Sequence, residues 1–385
     1  MRYTIHAKRA HTPAGWWENC LVSVVDGVIQ SVASGKWGDF TEDILVPGMI
    51  DLHNHGGAGF DNTQPTIEGY TNWTGALARH GVTDVLVTLG TSEIRVLHDA
   101  VLAAREAMRH QEAGVLGGAR IAGVHLEGPF ISGQRPGAMN VAYIQPPKIE
   151  IYDEITRDCG EIVKLLSVAP EQPGAMSLVS MLNKRGIRIQ AGHTDASFEE
   201  GMAAFSGGVG GVCHFFNAMR GIHHREPGLL TAALLSKDIY CELICDLAHI
   251  HLGALKMVIQ TKGPRRVYLI SDASPATGQP DGEYIANGRT IIVREGVSRT
   301  PSGTLSGGCK YVSEGARNLI EAGIPVEDTF TMTSKTPAEW MGFTALGAIA
   351  PGKAAHLAGL DCSYRVIRTF IGSEIYEAEE EQPAR

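Results

Sequence analysis

The feature that most constrains this chain is a repeat of short apolar, β-rich runs, each followed by a stretch of different spacing. The runs are residues 44–55, "VTDVLVTLG" (82–90), "ARIAGVHLEG" (119–128), "IVKLLSVAPE" (162–171), "IRIQAGHT" (187–194), "GVCHFFNAM" (211–219), "YCELICDLAH" (240–249) and "RRVYLISDAS" (265–274). Between them, segments such as "TIEGYTNWTGALARHG" place apolar residues three and four apart and end on glycine, as amphipathic helices do. Strands that are apolar on both faces need cover on both faces, which indicates a parallel sheet. Eight in succession predict an α/β fold of the closed (β/α)₈ TIM-type barrel kind. The alternative is an open doubly wound sheet, but no G-x-G-x-x-G follows the first run.

Both flanks lie outside that count. "CLVSVVDGVIQSVASG" (20–35) reads as strand, Asp-Gly turn and strand, and "HLAGLDCSYRVIRTFIGSEIYEA" (356–378) is again β-like. We expect residues 1–46 and 350–385 to form a small β-sandwich domain built from both termini, with 47–349 as the catalytic barrel. Residues 279–305 read as a hairpin inserted after the eighth strand, and "EAEEEQPAR" as a solvated tail.

A barrel of this kind carries its active site at the C-terminal ends of its strands. The first strand ends in His53 and His55, two residues apart and so on one face, with Asp51 one layer below. The third ends in Glu127, the fifth in His193, the sixth in His214, the seventh in His249 and the eighth in Asp272. A lone histidine is more often structural than a ligand. Six matching strand ends point instead to a catalytic metal centre. Glu127, His193 and His214 form a mixed carboxylate and imidazole set suited to Zn²⁺ with an open position. His53 and His55 suit a second metal, bridged through Glu127 or water. His125, one layer deeper than Glu127, reads as a packed supporting residue, and Cys213 as packing turned away from the His214 face.

The net charge of −9, with no basic run, argues against a nucleic-acid or anionic-membrane surface. "MRYTIHAKRAH" lacks a signal peptide's apolar core, and no apolar run approaches the roughly 18 residues of a membrane span. Seven scattered cysteines without a C-x-x-C pair fit reduced thiols. A soluble, cytoplasmic protein is expected.

"PGMIDLHNHG", "GVHLEGPFI", "SVAPE", "AGHTDAS", "GVCHFFNAMRGIHHREPG", "SDASPATG" and "GTLSGG" together resemble the N-acetylglucosamine-6-phosphate deacetylases of the amidohydrolase superfamily, over roughly residues 20–360. The resemblance implies a metal-dependent hydrolase that removes acetate from an amino-sugar phosphate, usually as a homodimer, with one or two divalent ions. It assigns Glu127, His193 and His214 as the main ligands and Asp272 as the catalytic aspartate. It assigns Ala138, Asn217, Ala218, Arg225, His249, Leu305, Ser306 and Gly307 to the substrate, Arg225 reaching a neighbouring subunit's site. Members that keep both histidines of the first strand bind two metals, and this chain keeps both. Met139 stands where the family usually has a histidine facing the substrate, and "DLAH" replaces the usual Asp-Gly-x-His.

The implied chemistry is amide hydrolysis. A bound metal polarises the acetamide carbonyl and acidifies water, while Asp272 takes the proton from that water and returns it to the leaving nitrogen. His249 is expected to hold the substrate or its developing oxyanion. Three rivals are weighed. A cyclic-amide hydrolase would typically carry a carbamylated lysine at the end of the fourth strand, but that strand ends "APE" with Lys164 near its start. A deacetylase of the galactosamine epimer is favoured by Met139. A sugar-phosphate binder without catalysis has no need of Asp272.

Overall fold

The computed structural model describes residues 1–378. The acidic tail beyond Ala378 lies outside the described residues. Eight parallel strands pair in sequence order: Met49–Asn54, Val82–Gly90, Arg120–Glu127, Val163–Val168, Arg188–Ala191, Gly211–Val212, Tyr240–Ile244 and Val267–Ile270. The ring closes at the mouth, where Asp272 N donates to His53 O (3.0 Å) and His55 N donates to Ala273 O (2.8 Å). These links make the fold the expected TIM-type barrel.

The helices behind the strands form where the apolar spacing placed them. Thr66 caps Ile67–Arg79 by accepting from Gly69 N (3.0 Å), and the helix buries Tyr70, Trp73 and Leu77 at helical spacing. Burial of such side chains stabilises by about 1.5–3 kcal/mol each. Trp73 also reaches the barrel, donating from Nε1 to Asn54 Oδ1 (3.1 Å) next to His53. Among the described residues no helix is long and apolar enough to cross a membrane.

Two of the expected strands are interrupted. The run 44–55 breaks at Gly48: Phe40–Pro47 belongs to the terminal sheet and Met49–Asn54 to the barrel. A side chain at Gly48 would collide with Thr83, so the chain passes closely between the two sheets there. The run 211–219 is a strand only at Gly211–Val212, because His214 N donates to the side-chain oxygen Glu242 Oε2 (2.9 Å) of the adjacent strand instead of a backbone carbonyl.

Both termini contribute to one seven-stranded sheet, ordered Glu374–Glu377, Val366–Ile371, His356–Leu360, Phe40–Pro47, Arg2–Thr12, Gly15–Val25 and Val28–Ser34. The sheet curls over its own core. Tyr3 stacks on Phe370 at 5.9 Å although their strands are not neighbours, and Ile29 N donates to Lys353 O (2.9 Å) across the fold. The insertion after the eighth strand is a three-stranded antiparallel sheet, Gly282–Ala286, Arg289–Arg294 and Val297–Arg299.

Candidate functional site

The strand ends bring six of the expected side chains to one point. Glu127 Oε1 lies 2.8 Å from His214 Nε2, 3.0 Å from His193 Nε2 and 3.4 Å from His53 Nε2, while Oε2 lies 3.2 Å from His55 Nε2. Asp272 Oδ1 is 3.3 Å from the Nε2 atoms of both His53 and His55. Two ligand triads result, Glu127–His193–His214 and His53–His55–Asp272, with Glu127 touching both.

The donor set fits a divalent metal. His193 and His214 face each other with Nε2 atoms 3.2 Å apart, as do His53 and His55, and Glu127 Oε2 is buried without a hydrogen bond. Nitrogen facing nitrogen, and a carboxylate oxygen close to His55 Nε2 without an aligned hydrogen bond, leave lone pairs converging on shared space, as ligands round a cation do. The electrostatics agree. Burial would lower the His55 pKa, yet the Asp272 and Glu127 carboxylates raise it to about 9. Against its own burial, Asp272 is drawn down to about 2 by His53 and His55. The cluster attracts positive charge.

The backbone also marks the spot. His193, His214 and Asp272 have φ of 46°, 22° and 49°, in the left-handed region that non-glycine residues occupy at a cost of roughly 1–3 kcal/mol each. Gly307 (φ 71°) packs so closely that an added Cβ would lie 3.1 Å from Asp272 O, which explains the glycine.

Supporting residues hold the histidines. His193 Nδ1 pairs with Arg135 O (3.1 Å), and Arg135 Nε is held by Asp195 Oδ1 (2.7 Å). Glu242, buried in the seventh strand, faces His53 Nδ1 at 3.2 Å and accepts from Tyr268 Oη (2.8 Å) as well as from His214 N. Sequence reasoning missed Glu242, although a carboxylate within the apolar run "YCELIC" was the available signal. His125 lies in the deeper layer expected, 4.6 Å from the His53 ring, and burial together with the His53 charge keeps it neutral, at about 3. Cys213 departs from its expected outward direction: its Sγ is 3.6 Å from His53 Nδ1, because the turn after Val212 rolls it inward. Lys164 Nζ donates to Glu161 O (2.8 Å), away from the cluster.

Above the cluster opens a cavity of about 420 Å³, of the size that takes a small ligand. Ala138, Asn217, Ala218, His249, Leu305, Ser306 and Gly307 line it, together with Met139. His249 Nδ1 pairs with Asp246 Oδ2 (2.7 Å), which fixes the ring. Arg225 is not brought there. It is exposed on the loop after His214, 2.7 Å from His224 Nε2, and does not line the cavity of its own chain. The cavity's arginines are Arg289 and Arg299 of the inserted sheet, which sequence reasoning passed over because nothing local links a surface hairpin to the barrel mouth.

Comparison with known proteins agrees with this geometry. The model of the amidohydrolase family matches residues 44–376. The chain is 32% identical to the N-acetylgalactosamine-6-phosphate deacetylase of Escherichia coli O157:H7 over 97% of this chain and 99% of that one. It is 32% identical to the N-acetylglucosamine-6-phosphate deacetylase of Bacillus subtilis (strain 168), covering 93% of each. Its fold matches a Mycobacterium smegmatis N-acetyl-D-glucosamine-6-phosphate deacetylase variant, solved in complex with N-acetyl-D-glucosamine 6-phosphate, with a TM-score of 0.91 at 27% identity over 98% of this chain and 100% of that one. The resemblance read from the motifs is thus borne out, and the chain belongs to the amidohydrolase family.

Proposed function

We propose that the protein hydrolyses the acetamide of N-acetyl-D-glucosamine 6-phosphate to D-glucosamine 6-phosphate and acetate. The observation that carries this reading is Asp272, which joins His53 and His55 beside the Glu127–His193–His214 triad at the floor of a ligand-sized cavity, in a chain similar over nearly its whole length to deacetylases of such substrates. Glu127, His193 and His214 would hold one divalent metal, with Zn²⁺ the best match to the donors, and His53 and His55 with Asp272 a second. A metal so held supplies Lewis acidity to the amide carbonyl and acidifies water.

The chain's own residues do the rest. Asp272, ionised at neutral pH and reachable from the cavity, accepts a proton from the attacking water and returns it to the leaving nitrogen, since an amine departs poorly as an anion. His249, fixed by Asp246, contacts the substrate or its oxyanion. Asn217, Ala218, Ala138 and the 305–307 segment wall the sugar. Arg225 can act on substrate only from a partner's loop, which favours a homodimer, and the proposed enzyme is cytoplasmic.

A second reading, the galactosamine epimer, is favoured by the Escherichia coli relative's name and by apolar Met139 in the cavity wall. The test is acetate release from N-acetylhexosamines differing at C4, each with and without a 6-phosphate. Fastest turnover of the glucosamine 6-phosphate derivative is expected. Faster turnover of the epimer selects the second reading, and no acetate from any sugar phosphate overturns both.

A further inference from the structure

Glu242 is a buried carboxylate to which the proposed chemistry gives no task. It stands in the middle of Tyr240–Ile244, fully shielded from water, and among the described residues no arginine or lysine lies within ion-pair distance of it. A charge placed there is costly unless a positive group answers it. Its Oε1 accepts from Tyr268 Oη (2.8 Å), while Oε2 accepts from His214 N (2.9 Å) and faces His53 Nδ1 at 3.2 Å. The route from this carboxylate to positive charge runs through the His53 ring.

His53 is backed differently from the other triad. His193 Nδ1 faces a neutral backbone carbonyl, Arg135 O at 3.1 Å, whereas His53 Nδ1 faces a carboxylate. Its other near neighbour, Cys213 Sγ at 3.6 Å, is a weak acceptor. A carboxylate on one ring nitrogen holds the proton there, frees the lone pair of the other and makes it a stronger donor to a metal. That other nitrogen, Nε2, faces His55 Nε2 (3.2 Å) and Asp272 Oδ1 (3.3 Å). The turn of His214 has a further hold that needs no charge, since Phe215 N donates to Glu242 O (3.0 Å). The charge of Glu242 is therefore directed to His53.

We infer that Glu242 is a positioning residue whose charge, acting through the His53 ring, decides whether the His53–His55–Asp272 triad takes up its metal. The inference rests on the two-metal reading and deepens it with a residue that lies behind the ligands.

The test uses full-length protein stripped of metal and titrated with Co²⁺, comparing wild type with Glu242→Gln. Glutamine keeps the shape: its oxygen can take the Oε2 position and accept from His214 N, while Tyr268 Oη turns its proton to Gln190 Oε1, already 3.2 Å away. The charge alone is lost. The first equivalent should bind as in wild type, and the dissociation constant of the second should rise roughly 10- to 100-fold, with acetate release lost at limiting Co²⁺ and regained as Co²⁺ is raised. In a His53→Ala background the same substitution should change Co²⁺ binding no further, and a further loss there overturns the inference. Wild-type affinity for both equivalents also overturns it, as does equal weakening of both, which marks Glu242 as structural. If Glu242→Gln does not fold, Glu242→Asp, which draws the charge back from His53 by one methylene, carries the same expectation and the same overturning results. Uptake of a single equivalent by wild type fails the two-metal reading and the inference with it, whereas two equivalents held equally well by wild type and variant fail the inference alone.

Discussion

Asp84 at the base of the barrel and Glu127 at its mouth are both buried carboxylates among basic groups, yet they are held in opposite ways. Asp84 Oδ1 accepts from Arg120 Nε (2.6 Å), and its Oδ2 accepts from Thr83 Oγ1 (2.9 Å) and faces His356 Nδ1 at 2.7 Å, so both its oxygens are occupied. His356 opens a strand of the terminal sheet, so this cluster ties that sheet to the barrel. Around Glu127, histidine nitrogens face one another, and Oε2 makes no aligned hydrogen bond although His55 Nε2 lies 3.2 Å away. A cluster closed on itself serves the fold, whereas one left open to a cation serves chemistry. The contrast predicts that loss of the open cluster's residues should lower activity and loss of the closed cluster's should lower stability.

The largest effect belongs to the open cluster. His193→Ala or His214→Ala should remove most of the bound divalent metal, as read by elemental analysis, and abolish detectable acetate release. A metal-free variant with full activity would break the contrast at its root.

Asp272→Asn keeps the shape of the mouth but cannot accept a proton. Loss of general-base catalysis typically costs roughly 10²- to 10⁴-fold in kcat with KM little changed. Urea unfolding of the same variant should match wild type. A large loss of stability with normal turnover would move Asp272 to the structural side.

The closed cluster should respond the other way. Asp84→Asn leaves Arg120 and His356 short of a counter-charge; the Arg120 side chain is 44% exposed and partly screened by water, so the loss should be smaller than for a fully buried pair, visible as a lower urea midpoint. Turnover per folded molecule should stay close to wild type, and a collapse in kcat of the folded fraction would dissolve the distinction.

The smallest effect is a pH dependence. Against its burial, His356 and Arg120 draw the folded pKa of Asp84 down to about 2, below the ordinary aspartate value that holds in the unfolded chain. The linked stability is therefore fully present above about pH 4 and is lost as pH falls toward 2, on the order of 2 kcal/mol in all. Wild-type stability measured between pH 5 and 2.5 should fall more steeply than that of Asp84→Asn. Parallel curves would show that other carboxylates carry the acid sensitivity.

Much of the mouth was legible along the chain. The apolar runs predicted the barrel, and the barrel predicts that its strand ends meet, so Glu127, His193, His214, His53, His55 and Asp272 could be grouped before any coordinates. Each of them lies within a run or just beyond it, where one-dimensional order maps directly onto place. Strand limits were less legible. Gly48 divides one apolar run between two sheets, and Glu242 draws the chain out of the sixth strand, which are contacts between distant segments.

The sequence by itself determined the architecture and the donor set, because apolar periodicity and strand-end residues are local properties that a closed parallel barrel turns into positions. Only the tertiary structure decided which basic groups enter the cavity. Arg225 is exposed on its loop and lines no wall of its own chain's cavity, whereas Arg289 and Arg299 arrive from a surface hairpin pinned at Thr91, Asp61 and Ala138. The physical reason is that an insertion's direction depends on hydrogen bonds to residues about 150 to 230 positions away, and no local pattern of propensity or charge encodes that pairing.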